Sequence, residues 1–532
     1  MYNRIDVMRR VLFICLFFLC AIESIPAQET DILVTKGIHV TSGAASGYIP
    51  DRVCAMCHTK IYRTYEEVGM ARSFYRPVAD RFIENFEKNR FYHAHSKMYY
   101  EMSRRDDRLF FKQYQKNAEG EPVNVFETGV DWIMGSGNHS RVYFYRTGAG
   151  EMYQLPLAWY TQDGEWGMAP GFDRSDHQGV TRRVRRECMF CHNAYPDVPA
   201  GSDLYESPQV FPEQLPEGTG CQRCHGPGAE HVRIVFSGEL EPETVRAAIV
   251  NPARFSPERR DEICFQCHLR PAVTFFGPRR FQRGDYSFRP GEPLSDYLLH
   301  MEIKEEGKEQ IDRFEINHHP YRLRQSRCFT GSKGALNCLT CHDPHRKIAV
   351  EKRAEHYRAA CLTCHQPDHC TANKNKEIIT EGKDFSDCVS CHMPRRRTRD
   401  VVKVVMTDHL IQRPRGGKEL LAPLKESEPV IVDAYFLNPA QAPSGDEGEI
   451  YRTVAILRAG GGAAAVDRLK MLLDRTRSTE LVPYLDLAKG QLGLRRYADV
   501  GEALKMILDK VPDHVPAHEM MVIALAGDEP GG

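Results

Sequence analysis

Seven copies of one five-residue pattern, two cysteines separated by two residues and followed at once by a histidine, constrain this 532-residue chain more than any other feature. They read CAMCH (Cys54 to His58), CMFCH (Cys188 to His192), CQRCH (Cys221 to His225), CFQCH (Cys264 to His268), CLTCH (Cys338 to His342), CLTCH (Cys361 to His365) and CVSCH (Cys388 to His392). At this chain's own cysteine and histidine frequencies, chance supplies roughly 0.03 copies. The pattern was selected for chemistry. Two cysteines so spaced could clip zinc, form a redox disulfide or anchor a haem, and the histidine directly after the second cysteine favours haem.

On that reading Cys54, Cys57, Cys188, Cys191, Cys221, Cys224, Cys264, Cys267, Cys338, Cys341, Cys361, Cys364, Cys388 and Cys391 add to vinyl groups of seven c-type haems. His58, His192, His225, His268, His342, His365 and His392 are then the proximal iron ligands. The motifs use fourteen of the eighteen cysteines. Of the others, Cys15 and Cys20 lie in a leader with Arg4, Arg9 and Arg10, an apolar run from Val11 to Ile22 and a cleavage-like Ser24-Ile25-Pro26-Ala27. Residues 1–27 are therefore expected as a secretory signal, and the protein as periplasmic or otherwise exported from a bacterium. An uncleaved leader would be its one route to a membrane. Export agrees with haem attachment and with an oxidising compartment, in which Cys328 and Cys370 could form a disulfide worth about 2–4 kcal/mol. A net charge of -1 argues against a nucleic-acid partner.

Along the chain, residues 98–170 alternate apolar or aromatic with polar residues. Turns at Asp106-Asp107 and Gly148-Ala149-Gly150 predict two hairpins. From Cys188 to Pro414, proline, glycine and arginine are abundant and long apolar periods scarce, so haem faces would replace an aliphatic core. Residues 415–448 read as a linker. Residues 449–532 are helical, with the spacing of a tetratricopeptide unit in Tyr484, Leu487, Ala488, Tyr497 and Pro512. The expected fold is mainly α with long loops: a heptahaem cytochrome c domain over 28–414 with a small β-hairpin insertion, followed by a tetratricopeptide-like helical domain.

Spare histidines supply sixth ligands. His345 in CLTCHDPH and His231 in CQRCHGPGAEH follow proximal ligands too closely to reach the far face of the same haem, and are expected to cap neighbouring ones. Arginine runs at RRVRR (Arg182 to Arg186) and RRR (Arg395 to Arg397) could pair with propionates or simply be solvated.

CAMCHTKIYRTYEEVGMARSF, FYHAHSKMYYEMSRRDDR, GSGNHSRVYF, ECMFCHNAYP, CQRCHGPG, CLTCHDPH, CVSCHMPRRRTRDVV and VMTDHLIQRP resemble, in order, blocks of multihaem c-type cytochromes with C-terminal tetratricopeptide repeats. The haem region of that family is related to the tetrahaem cytochrome of ammonia oxidisers. The resemblance spans about Cys54 to Pro414 and implies electron transfer without specifying a substrate. It implies His139, His231, His345 and His409 as distal ligands, followed by His93 and one of His318 or His319, with His319 taken. It also implies Met70 where tetrahaem relatives have a histidine; a His/Met iron there would have a higher potential. Lys403 stands where relatives often have histidine.

The expected function is an exported relay of electrons through seven haems between redox protein partners, with the helical domain as a docking module. It is more an electron carrier than a catalyst. The alternative is an oxidoreductase acting on a nitrogen or sulfur oxyanion, such as nitrite, hydroxylamine or tetrathionate, at one five-coordinate haem.

Overall fold

A computed structural model describes residues 31–269, 278–309, 311, 313–366, 387–413, 419–427 and 429–528. The leader, Cys370 and with it the Cys328 to Cys370 pairing lie outside the described residues. Among those described, 37% are helical and 17% are in strands, with four antiparallel sheets. This is a mixed α/β fold, which corrects the expectation of a mainly α chain with long loops. Two features of the sequence account for the difference. The alternating segment runs well beyond two hairpins, and two further strand pairs are too short, or too distant in sequence, to show a periodicity.

The β region begins with β1 (Phe74–Tyr75), β2 (Arg90–His93), β3 (Met98–Arg105), β4 (Arg108–Lys116) and β5 (Pro122–Gly129). It continues with β6 (Trp132–Met134), β7 (Ser140–Arg146), β8 (Met152–Tyr160), β9 (Glu165–Met168) and β10 (Arg182–Arg183). One sheet has the order β2-β3-β4-β5 and the other β1-β6-β7-β8-β10, with β9 on β8. Asp106-Asp107 closes β3 to β4 with Arg105 opposite Arg108, and Gly148 to Gly150 lies in the β7 to β8 turn.

Alternation places neighbouring side chains in different cores. Ile133 and Tyr143 join Tyr100, Phe111, Leu157 and Trp159 between the two sheets, and Val401 and Val404 are added from far along the chain. Trp132 and Phe144 face the other way, onto Phe74, Val184 and Met189. Met189 belongs to the helix Arg186–His192, so the second CxxCH copy is seated directly on the back of a sheet.

The segment 415–448 contains β14 (Ile431–Phe436), which pairs with β11 (Met301–Glu305); β12 (Arg395–Arg397) pairs with β13 (Val405–Thr407). Five helices follow: Gly445–Arg458, Ala463–Thr476, Leu481–Gly493, Tyr497–Leu508 and Val515–Asp528. Successive helices pack together, and the first, third and fifth also touch. Their core, including Val454, Leu469, Leu485, Val500 and Leu504, is continuous with Met301 and Ile303 of β11. The first and third helices grip the rest of the chain. Tyr205 donates to Asp486 (2.6 Å) beneath the Arg458 guanidinium, Glu206 pairs with Lys489 (2.5 Å), and Phe281 stacks on Tyr451 at 3.9 Å. No helix among the described residues is long and apolar enough to cross a membrane.

Beside β11, one buried guanidinium, Arg313, donates to both Glu302 (2.5 Å) and Glu315 (2.7 Å). Burial pushes Glu302 up to about 7 and Glu315 up to about 8 from an ordinary 4.5. Between pH 4.5 and 8 the folded chain therefore holds more protons than the unfolded one, and stability falls as pH rises through that window. In thermal melts from pH 5 to pH 8.5 these two carboxyls should make stability fall with rising pH, against the opposite contribution of the buried neutral His192 and His409 below pH 6.5. Relative to wild type, Glu302→Gln should remove part of that fall, and equal pH slopes for the two proteins above pH 6.5 would contradict the assignment.

Candidate functional site

Each CxxCH copy is a helical turn. In four of them the histidine N–H donates to the carbonyl of the first cysteine: His58 to Cys54 (2.9 Å), His225 to Cys221 (3.1 Å), His342 to Cys338 (3.0 Å) and His365 to Cys361 (3.0 Å). The second and fourth copies end the longer helices Arg186–His192 and Pro257–His268, and the seventh is the helix Cys388–His392. Positions i, i+3 and i+4 share a helix face, so both thiols and the imidazole of a copy project the same way.

The copies are also paired. The first thiol of the first copy, Cys54, contacts that of the third, Cys221, beside the Asp51 carboxylate. Cys264 contacts Cys338, and Cys361 contacts Cys388. Thus the first and third, fourth and fifth, and sixth and seventh copies meet at their first cysteines. Burial pushes Cys224 and Cys361 up to about 11 and also raises Cys188, which keeps these thiols protonated and unlike the activated thiolates of redox enzymes.

Six of the seven copies, all but the first, open onto one cavity of about 3650 Å³. A site for one small ligand occupies roughly 300–1,000 Å³, so this space suits several ring-sized groups. The walls are unusual. From Arg327 to Gln366 not one residue is buried, although three helices lie in that span.

His139, His192, His268, His319, His342 and His409 all line the cavity. Burial, reinforced by neighbouring imidazoles, lowers His192 and His409 to about 4 and holds His319 well below its ordinary value. These rings are neutral and able to act as ligands at any physiological pH. His139 is reached through the GSGNHS turn, where Gly135 has φ +109° and an added Cβ would lie 2.5 Å from the Ser140 carbonyl oxygen. Only glycine makes that turn.

Hydrogen bonds fix which nitrogen is free. Nδ1–H donates to a carbonyl in His225 (Val250, 2.9 Å), His392 (Gln412, 2.9 Å), His409 (Thr407, 3.1 Å) and His231 (Val245, 2.9 Å). Each then presents an unprotonated Nε2, the arrangement by which metal-binding imidazoles are oriented. The buried Nδ1 atoms of His139, His192 and His319 have no hydrogen-bond partner among the described residues.

Two ring pairs have the separation of ligands sharing one metal. The centroids of His225 and His345 are 6.1 Å apart with planes 21° apart, and those of His342 and His409 are 6.2 Å apart at 31°. A metal held at about 2.0 Å by one nitrogen of each ring calls for roughly 6 Å between centroids. His345 is thus set against His225 and not against His342, three residues before it. The donor set of thiols and largely buried imidazoles around a large cavity fits covalently attached haem at the six copies that open onto it.

The other sequence-derived positions divide clearly. His319 lines the cavity, whereas His318 turns away to Glu302 and Glu315 at 3.7 and 3.9 Å. His93 is not brought to the cavity: Nδ1 meets Ser96 (2.8 Å) and Nε2 meets Asp173 (3.1 Å), so both nitrogens are engaged. His231 lies on the helix Ala229–Phe236, away from the cavity lining. Met70 lines the cavity, whereas His58, of the first copy, is exposed. Lys403 is paired with Glu165 (2.8 Å) and is not a ligand here. Of the arginine runs, Arg182, Arg183 and Arg185 reach the lining, whereas Arg186 is buried and donates to the carbonyls of Pro208 (3.0 Å) and Val210 (2.7 Å).

Sequence reasoning did not single out His356, whose Nε2 meets the Cys341 carbonyl (3.0 Å) beside His342, because nothing in its spacing distinguishes it. Comparison with known proteins finds no matching family model, no matching curated protein and no matching solved structure.

Proposed function

We propose that this chain is an exported c-type cytochrome that relays electrons through seven covalently attached haems between redox protein partners. The observation that carries the reading is the convergence of six CxxCH turns and their facing imidazoles on a single cavity, with cysteines of neighbouring copies in contact. Bound haem iron supplies a one-electron couple at each site. The chain supplies the rest. Its cysteines would hold each group, Nδ1 hydrogen bonds aim Nε2 of His225, His392 and His409, and His345 and His409 would offer a second imidazole to the irons held by His225 and His342. Closed sixth positions favour transfer over substrate binding.

The helical segment 445–528 buttresses this domain through Tyr205, Glu206 and Phe281, and its outer helices are left for partner docking.

Intact mass and a pyridine haemochrome assay should count seven haems in the exported protein, and low-temperature EPR should show low-spin iron. A high-spin signal perturbed by nitrite or hydroxylamine would favour the oxidoreductase alternative. A colourless, zinc-containing protein would end the haem reading.

A further inference from the structure

Arg223 stands between the two cysteines of CQRCH and is 1% exposed, yet no carboxylate faces it among the described residues. Other buried arginines are neutralised: Arg141 by Glu84 (2.9 Å), Arg279 by Asp285 (2.6 Å), Arg322 by Asp408 (2.7 Å). Arg223 instead lies among rings, with its guanidinium carbon 3.9 Å from the centroid of Tyr195, 4.5 Å from Phe190 and 5.6 Å from Tyr286. Its Nε donates to the Asn193 carbonyl (2.9 Å), while Nη1 and Nη2 have no hydrogen-bond partner among the described residues. Cation–π contact makes burial tolerable without cancelling the charge.

The neighbours of this cation come from three CxxCH copies. Phe190 is the residue before the second cysteine of CMFCH, and Asn193 follows its histidine. Gln266, at the equivalent place in CFQCH, donates its Nε2 to the Arg223 carbonyl (3.2 Å). Arg223 holds that same position in its own copy. A permanent positive charge with no protein carboxylate paired to it among the described residues therefore sits where the second, third and fourth copies meet, at the edge of the shared cavity.

We propose that Arg223 is an electrostatic positioning residue that raises the reduction potential of the haems held by these three copies. The inference rests on the haem reading above. Reduction adds one electron to an iron and lowers its net charge by one, and a fixed cation nearby stabilises the reduced form. The three sites nearest Arg223 would thus be the electron-accepting end of the relay.

The test is a spectroelectrochemical titration of the full seven-haem protein. Arg223→Gln should move the oxidised-to-reduced balance of up to three haems at least tenfold toward oxidised, a fall of 59 mV for a one-electron couple. Arg223→Lys, which keeps the charge, should move it far less. Should Arg223→Gln fail to fold or lose haem, Arg223→Met, which keeps an unbranched stem among the rings and removes the charge, should lower the same potentials. An unchanged titration curve for Arg223→Gln with seven haems attached would overturn the proposal, as would equal shifts from glutamine and lysine. If Arg223→Gln does not fold, an unchanged curve for Arg223→Met with seven haems attached overturns it. Haem counts on the wild type separate the two failures: a colourless protein removes the haem reading, whereas seven haems with an unresponsive curve remove only the role of Arg223.

Discussion

If the chain carries seven haems as proposed, replacing His345 with alanine is expected to leave all seven attached and to turn one of them high-spin: the haem fastened through His225, not the one fastened through His342. The reason is geometric. His345 lies in the same eight residues as His342, but Asp343 and Pro344 turn the chain so that its ring faces His225 at 6.1 Å, with the planes only 21° apart. The Asp343 carboxylate accepts the backbone N–H of His345 (2.9 Å) and holds the turn. His342 has its own counterpart in His409 at 6.2 Å. Alanine at 345 removes one ring and leaves every cysteine in place, so covalent attachment should not change.

Low-temperature EPR should show one haem in seven converted, and mass spectrometry an unchanged haem count. Combining the change with Cys338→Ala and Cys341→Ala, which removes the haem on His342, should leave the high-spin signal in place. If the signal vanished with that haem, the pairing of His345 with His225 would be wrong. A wholly low-spin His345→Ala protein would mean that His345 is not a ligand at all.

The local geometry of each CxxCH copy was legible in the sequence, and spatial partnership was not. A CxxCH copy is a complete instruction within five residues, since one helical turn brings both thiols and the imidazole to one face. The choice between His318 and His319 could not be made from sequence, because adjacent residues differ only in direction. That direction is set by Arg313, Glu302 and Glu315, which draw His318 into a buried polar cluster. His93 carried the same ambiguity until Ser96 and Asp173 occupied its nitrogens. The fold class was misjudged for a related reason. The strand 431–436 lies in a Pro/Gly/Glu-rich stretch that reads as a connector, and it becomes a strand only because β11, over a hundred residues earlier, offers it an edge. Arg223 was invisible as well: within CQRCH it looks like a variable position, and its burial comes from rings at 190, 195 and 286.

Made without haem attachment, the chain is expected to leave residues 327–366 unfolded while the helices of 445–528 persist. None of residues 327–366 is buried, and their helices Arg327–Ser332, Cys338–Cys341 and Arg353–Leu362 are 6, 4 and 10 residues long. Isolated helices shorter than about 12–15 residues are marginal in water, so something other than propensity must hold these three. Protein side chains do not do it, because this segment faces the 3650 Å³ cavity. A cleft of this size leaves the segment without the apolar contacts that close a core, in a domain whose whole margin of stability is about 5–15 kcal/mol. On the proposed haem reading, groups that fill the cavity complete the fold, and without them the segment has no reason to close. The C-terminal helices differ because Leu469, Leu473, Leu485, Leu504 and Ile507 bury one another. The second CxxCH helix should be intermediate, since Met189 and Phe190 are buried in protein cores whether or not the cavity is filled. Hydrogen exchange on cofactor-free protein should show 327–366 at least about a hundredfold less protected than 445–528, and limited proteolysis should cut there first. Equal protection of the two segments without haem would show that the cavity walls are self-supporting, and it would remove the main structural argument for a cofactor-built core.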